Sequence, residues 1–352
     1  MTSLRASEDA GGSTSRRRLW ASTVAGAAIA VAVVTGLALF GDGRQLAAAL
    51  QDFAWWLAAP ILVLTLINYA LRFVKWELYL RRLAVPPLGL GTSILVFLSG
   101  FSMSLTPGKV GELIKALLLN RLTGEPVGRT SAIIAAERLT DGLAMLVLAG
   151  FGLTQFAYGR SLLAVAALGA LVLVALLRRP WLLAAVLRRI AHWPVVGRGV
   201  EHAVAFVHAS NELLGLRLLS GAVGLGIVSW AGECLAFFLV LVGLDVEPTW
   251  NLLLVATFVL AVSSIVGAVS MLPGGLGVTD ASMAGMLLLL PAEAMPRSTA
   301  VAATLLIRFA TLWFAVIIGA VALAIVRRRT ATQATRQSMP GQEAPPIMRD
   351  PV

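Results

Sequence analysis

Several charged side chains stand inside long apolar runs, where a lipid-facing position would exclude them. Lys109, Glu112 and Lys115 gather around one Pro-Gly turn. Glu137, Arg138 and Asp141 follow in the next run, and Asp280 and Arg308 repeat the theme near the C-terminus. Arg72 and Lys75 occupy an earlier run, in which Asn68, Arg72 and Trp76 share one helical stripe. A charge at mid-depth costs about 2.5–3.5 kcal/mol on insertion scales, so such groups must face partners or a wet cavity. Arginine brings forked donors and lysine a point charge; both suit an anionic or phosphate-bearing headgroup. Glu112, Glu137 and Asp141 would balance these cations in an empty site, or take a cationic headgroup. Other readings stay open at this level. Glu137, Arg138 and Asp141 can form an ion-pair lock between helices, Arg72 and Lys75 can snorkel, and Asp280 can cap a helix.

Other chemistries find little support. No nucleophile–base arrangement can be assigned, so no enzyme acting alone is expected. Gly108-Lys109 lacks the upstream glycine and the following Ser or Thr of a phosphate-binding loop, which argues against direct ATP hydrolysis. The single cysteine, Cys234, excludes an intrachain disulfide, and three histidines show no metal-ligand spacing. No cofactor and no metal are expected.

The elements that must position these charges are membrane helices. Of 352 residues 58% are hydrophobic and 13% charged, and the mean hydropathy is +0.86. A soluble domain could not hide that much apolar surface. The net charge of +10 comes from Arg and Lys in the links between runs, where they set topology and meet anionic headgroups; no basic soluble domain exists to bind nucleic acid. Residues 1–15 read as a disordered tail. Arg16–Arg18 precede a first span, Leu19–Phe40, and Phe53–Leu80 ends in Arg81 and Arg82. Gly91–Leu105, a break, and Leu113–Leu122 come next, followed by Arg129–Tyr158 and Leu162–Leu177. Arg178, Arg179, Arg188, Arg189, Arg198 and Arg217 mark a cytoplasmic loop, in which Trp181–His192 can lie on the membrane surface. Leu218–Val242, Trp250–Leu272, Ala281–Leu290 and Ser298–Val326 complete the membrane part, with Asp245–Glu247 outside and Arg327–Arg329 inside. The expectation is an all-α integral membrane protein of about six to eight transmembrane helices in the cell (plasma) membrane. Residues 16–330 form one membrane domain, 331–352 are a second disordered tail, and both termini are cytoplasmic.

The pattern S-x-x-P-G-x-x-G occurs twice at a constant offset, as Ser104, Pro107, Gly108, Gly111 and as Ser270, Pro273, Gly274, Gly277. Proline lacks the amide donor and glycine accepts positive φ, so each copy, with Gly275 in the second, ends a helix and turns the chain. The short pieces that follow reach only ~15 Å as helix, half a bilayer. Re-entrant or broken helices fit, in repeat halves of about 53–177 and 218–329, although simple interfacial loops would also satisfy the pattern. By the charge assignment the copies are entered from opposite sides, as an inverted repeat requires.

Pro107-Gly108-Lys109-x-Gly111-Glu112, Glu137-Arg138-x-x-Asp141 and Pro273-Gly274-Gly275-x-Gly277-x-x-Asp280 resemble the motifs of flippase-like membrane proteins. That family includes the transmembrane region of lysylphosphatidylglycerol synthases. The resemblance covers about residues 15–330, and Asp280 stands where the family usually has Glu. It implies translocation of an amphipathic lipid, a phospholipid or a polyprenyl-phosphate-linked sugar. It argues against lipid aminoacylation, because the tail after Thr330 is too short for a soluble transfer domain. A secondary transporter of a small anion, or a partner that positions a lipid-modifying enzyme, are the alternatives. Substrate contacts are expected from Arg72, Lys109, Glu112, Lys115, Glu137, Arg138, Asp141, Asp280 and Arg308.

Overall fold

The structure, a computed structural model, describes residues 43–152, 160–179, 197–290 and 295–337, with positions 181 and 185. The expected span Leu19–Phe40, the N-terminal tail, residues 338–352 and most of Trp181–His192 lie outside the described residues. Every described element is helical, and no strand occurs among them. In chain order they are α1 (Gly43–Gln51), α2 (Ala58–Arg82), α3 (Leu90–Ser99), α4 (Ile114–Thr123), α5 (Val127–Gly152) and α6 (Arg160–Leu177). Then follow α7 (Gly197–Leu213), α8 (Leu216–Gly243), α9 (Trp250–Val269), α10 (Val278–Leu289), α11 (Arg297–Arg308) and α12 (Phe314–Gln337). A π-turn, Phe309–Trp313, joins α11 to α12 without interruption. Among the described residues four stretches are long and apolar enough to cross a membrane: Trp55–Arg82, Leu216–Gly243, Trp250–Val269 and Arg297–Arg329. The all-α membrane architecture read from the sequence therefore stands.

Helix α2 runs antiparallel to α8. Ala54 N donates to Gly243 O at one end, and at mid-length Asn68 Nδ2 donates to Ser229 O at 3.0 Å while Ser229 Oγ donates to Asn68 O. Lipid is as apolar as leucine, so close packing and polar contacts hold such helices together rather than flight from water. Glycines provide the approach. A Cβ on Gly319 of α12 would stand 2.8 Å from the Leu98 carbonyl oxygen and closer still to Ser102 N.

Two large apolar cores result among the described residues, beside a small cluster of Leu46, Val301 and Ala302. One gathers Phe53, Phe237, Leu241, Val259, Leu287 and Ala303, the other Trp76, Tyr79, Phe97, Leu119, Ile133 and Val326. The second lies toward the Arg-rich ends: Arg81 and Arg82 close α2, Arg129 Nη2 donates to Leu83 O, and Arg327–Arg329 follow Val326. Arg72 touches both cores, lying over Phe101 of the second and over Trp230, which packs on the first.

Two elements differ from the sequence expectation. Residues 197–213, read as part of a charged loop, form helix α7, which packs against α5 with Val207, Ala209, Ser210 and Leu213 buried. Arg198 and Arg217 mark this stretch as a loop by charge, whereas its apolar face repeats at helical spacing. At the C-terminus α12 runs on to Gln337, because residues 331–337 contain neither Pro nor Gly to stop it.

Candidate functional site

Each Pro-Gly sequence forms the tip of a helical hairpin. In the first, α3 continues as a 3-10 turn, Gly100–Met103; Thr106 is extended, and Pro107–Leu113 winds as 3-10 before α4 returns. Pro107 starts that turn at the position where a missing amide costs nothing. Gly108 has φ +59°, a region that side-chain-bearing residues seldom occupy. In the second, α9 ends, Gly274, Gly275 and Gly277 all take positive φ, and α10 returns. Asp280 caps α10 by accepting a hydrogen bond from Gly277 N at 2.8 Å.

The two tips meet. Gly108 N donates to Met271 O at 2.9 Å. Met271 Cε lies 2.9 Å from where a Cβ on Gly108 would stand, and Leu105 Cδ2 lies 2.9 Å from that place on Gly274. Leu105 and Met271 are counterparts in the sequence repeat, as are Gly108 and Gly274. Each turn thus covers the other's glycine with the same residue position. Reciprocal contact of this kind marks two surfaces related by a two-fold axis.

Beside the tips opens a cavity of about 370 Å³. Its charged lining is Arg72 from α2, Glu112 from the first turn, Arg138 and Asp141 from α5, Glu233 from α8, and Arg308 from α11. Arg72 lies over the rings of Phe101 (5.2 Å) and Trp230 (5.9 Å) and 3.7 Å from Asp141. Asp141 is paired to Lys75, which also donates to Thr140. Lys75 is fully buried, so it does not snorkel. Arg138 is held loosely, 3.6 Å from Glu112 and 3.5 Å from Asp141, with 28% of its side chain exposed. Its Nε and Nη2 have no hydrogen-bond partner among the described residues, and neither has the Trp230 Nε1 beside the same cavity. Arg308 is held more closely: its Nη2 donates to Gly274 O at 2.8 Å, and its Nε lies 2.8 Å from Asp280 as an ion pair, without a hydrogen bond of its own among the described residues.

The structure thus brings Arg72, Glu112, Arg138, Asp141, Arg308, Gly108, Gly274 and Gly275 to one cavity. Asp280 stands one step behind Arg308, so its capping and pairing roles coexist. Lys115 and Glu137 do not line it. They pair with each other at 2.5 Å, each 2% exposed, and Lys115 lies over Trp76 at 4.8 Å. This pair ties α4 to α5. Pro107, Gly111, Pro273 and Gly277 shape the turns without lining the cavity, and the Lys109 side chain lies outside the described residues. Sequence reasoning missed Glu233, Trp230 and Tyr69, whose hydroxyl donates to Thr311 O in the π-turn at 2.8 Å. Glu233 left a signal, since it is a carboxylate midway along the run Leu218–Val242.

Comparison with known proteins agrees with this architecture. A curated relative, a UPF0104 membrane protein of Methanothermobacter thermautotrophicus, is 33% identical over 97 residues. That match covers 28% of this chain and 27% of the relative, so the similarity spans about a quarter of the relative's length. The family model described as the lysylphosphatidylglycerol synthase TM region matches residues 27–319, which include both hairpins and every charged residue of the cavity. The chain belongs to that family.

Proposed function

We propose that the protein is a lipid translocator of the flippase type, which moves an amphipathic lipid with an anionic, phosphate-bearing headgroup between leaflets of the cell membrane. The observation that supports this reading is the cavity beside the two opposed hairpin tips, lined by Arg138 and Trp230, whose buried Nε, Nη2 and Nε1 lack hydrogen-bond partners among the described residues. A buried donor without an acceptor is costly, and phosphate oxygens would supply acceptors. The cavity also has an apolar wall, with Leu260, Ile265, Met271 and Leu272; Met271 and Leu272 are exposed. Such a wall suits acyl or prenyl chains and favours a lipid over a free anion. Non-helical backbone such as that of the two tips is tolerated at membrane depth where it borders a cavity, the arrangement found at transport sites.

The test is flipping of a tail-labelled anionic phospholipid in proteoliposomes, read by quenching of the outer leaflet. Arg138→Gln should slow flipping by at least about tenfold, the worth of one charge-assisted contact, while the protein inserts and melts as the parent does. Parallel uptake of radiolabelled inorganic phosphate separates the readings. Phosphate uptake lost in Arg138→Gln, with no lipid flipping in the parent, would identify a carrier of soluble anions instead.

A further inference from the structure

The two repeats carry the same device in two different states. In each, an arginine of the long helix faces a carboxylate placed just after the Pro-Gly turn: Arg138 with Glu112, Arg308 with Asp280. Arg308 sits one helical turn beyond Thr304, the counterpart position of Arg138, and so lies on the same stripe of its helix. The second device is closed. Arg308 Nε lies 2.8 Å from Asp280 as a close ion pair, though without a hydrogen bond of its own among the described residues, and Nη2 donates to the carbonyl of Gly274. The first is open. Arg138 lies 3.6 Å from Glu112 and leaves Nε and Nη2 without hydrogen-bond partners among the described residues. The tip-to-tip hydrogen bond is equally one-sided. Gly108 N donates to Met271 O, and the counterpart bond from Gly274 N to Leu105 O is not formed among the described residues, although the apolar contacts that frame it are reciprocal.

A pair of like units held in unlike states has a mirror arrangement of comparable energy, in which the states are exchanged. We infer that Arg138 and Arg308 are alternating half-sites for the same anionic headgroup, one serving each face of the membrane. In the present state Arg138 is available and Arg308 is sequestered by Asp280 and the Gly274 carbonyl. In the mirror state Arg308 lets go of its turn and takes the headgroup, while Arg138 closes on Glu112 and the Gly108 carbonyl. The carboxylates are then internal competitors for the arginines, and each occupies the guanidinium that is out of use. The inference rests on the translocation reading above and assigns the second arginine a ligand-binding role that its present engagement hides.

The two faces can be probed separately with sn-glycerol 1-phosphate, a soluble phosphomonoester that carries the glycerol and phosphate of a phospholipid headgroup and cannot cross the bilayer. It would be added to right-side-out or inside-out membrane vesicles during flipping of the tail-labelled anionic phospholipid. Arg138→Lys and Arg308→Lys keep the charge and lose the fork. Each should raise the half-inhibitory concentration by about tenfold from one face only, and the two faces should be opposite. Asp280→Asn, which frees Arg308, should lower that concentration on the Arg308 face and keep the test alive should Arg308→Lys fail to insert. A shift on both faces for either lysine variant, or on neither, overturns the half-sites, as does a parent protein that flips lipid and ignores the competitor from both faces. A parent that flips no lipid would instead remove the translocation reading itself.

Discussion

Lys115 and Glu137 offer a clean separation of structural charge from transport charge. Both are 2% exposed and lie 2.5 Å apart, away from the cavity, and Lys115 also rests on Trp76. Glu137→Gln leaves an ammonium buried without its counter-ion, and Lys115→Met leaves the matching carboxylate. Each single change should destabilise by about 3–5 kcal/mol, the cost typical of an uncompensated buried charge. The double variant Lys115→Met/Glu137→Gln removes both charges and should recover most of that loss, since apolar replacement of a buried pair is often close to neutral. Arg138 gives the contrast. Its pairs are long and it is 28% exposed, and Asp141 keeps Lys75 as a partner, so Arg138→Gln should cost less than either the Lys115 or the Glu137 single variant while flipping collapses. The assay is denaturant unfolding in detergent alongside flipping in the same preparations. Single Lys115 and Glu137 variants that are fully stable yet inactive would refute the division, and so would a double variant no more stable than the singles.

The remaining predictions concern topology and packing. In a Cys234→Ala background, Asp245→Cys should react with impermeant thiol reagents from outside intact cells and Thr330→Cys should not; the reverse pattern would invert the assigned orientation. Gly319→Ala should destabilise by about 1–3 kcal/mol, a typical cost of overpacking, because its Cβ would press on the backbone at Leu98 and Ser102. Gly221→Ala, on an open stretch of α8, meets nothing within 4 Å and should be silent in the same melts.

The charged site was legible in the sequence because a charge or a Pro-Gly pair interrupts hydropathy wherever it falls. That signal is local, and it led directly to Gly108, Glu112, Arg138, Asp141, Gly274 and Arg308. Pairing is not local. Glu137 and Arg138 look like natural members of one ion-pair lock, but neighbours on a helix point about 100° apart. Glu137 accordingly turns to Lys115 on α4, and Arg138 turns to the cavity. Glu233 and Trp230 were hidden for a different reason, since the run around them is so apolar that it reads as an ordinary span. Helix α7 escaped notice because charged residues along 197–213 weigh more in a hydropathy reading than its one buried stripe. The orientation of Arg308 depends on contacts that only the folded turn supplies.

The π-turn at Phe309–Trp313 has a mechanical consequence. It places a joint midway along what is otherwise one rod, directly after Arg308 and beside the cavity. Joints of this kind relax the hydrogen-bond ladder and let the two arms of a helix bend separately. The arms are attached to different parts: α11 packs on α10 and α1, whereas α12 packs on α3 and the 3-10 turn Gly100–Met103. One rod therefore links both hairpins, with its elbow where their tips meet. Tyr69, bound to the Thr311 carbonyl inside that elbow, acts as a bolt through it. Swinging either arm would work against that hydrogen bond and against the packing of the Tyr69 ring on Phe101 and Phe314.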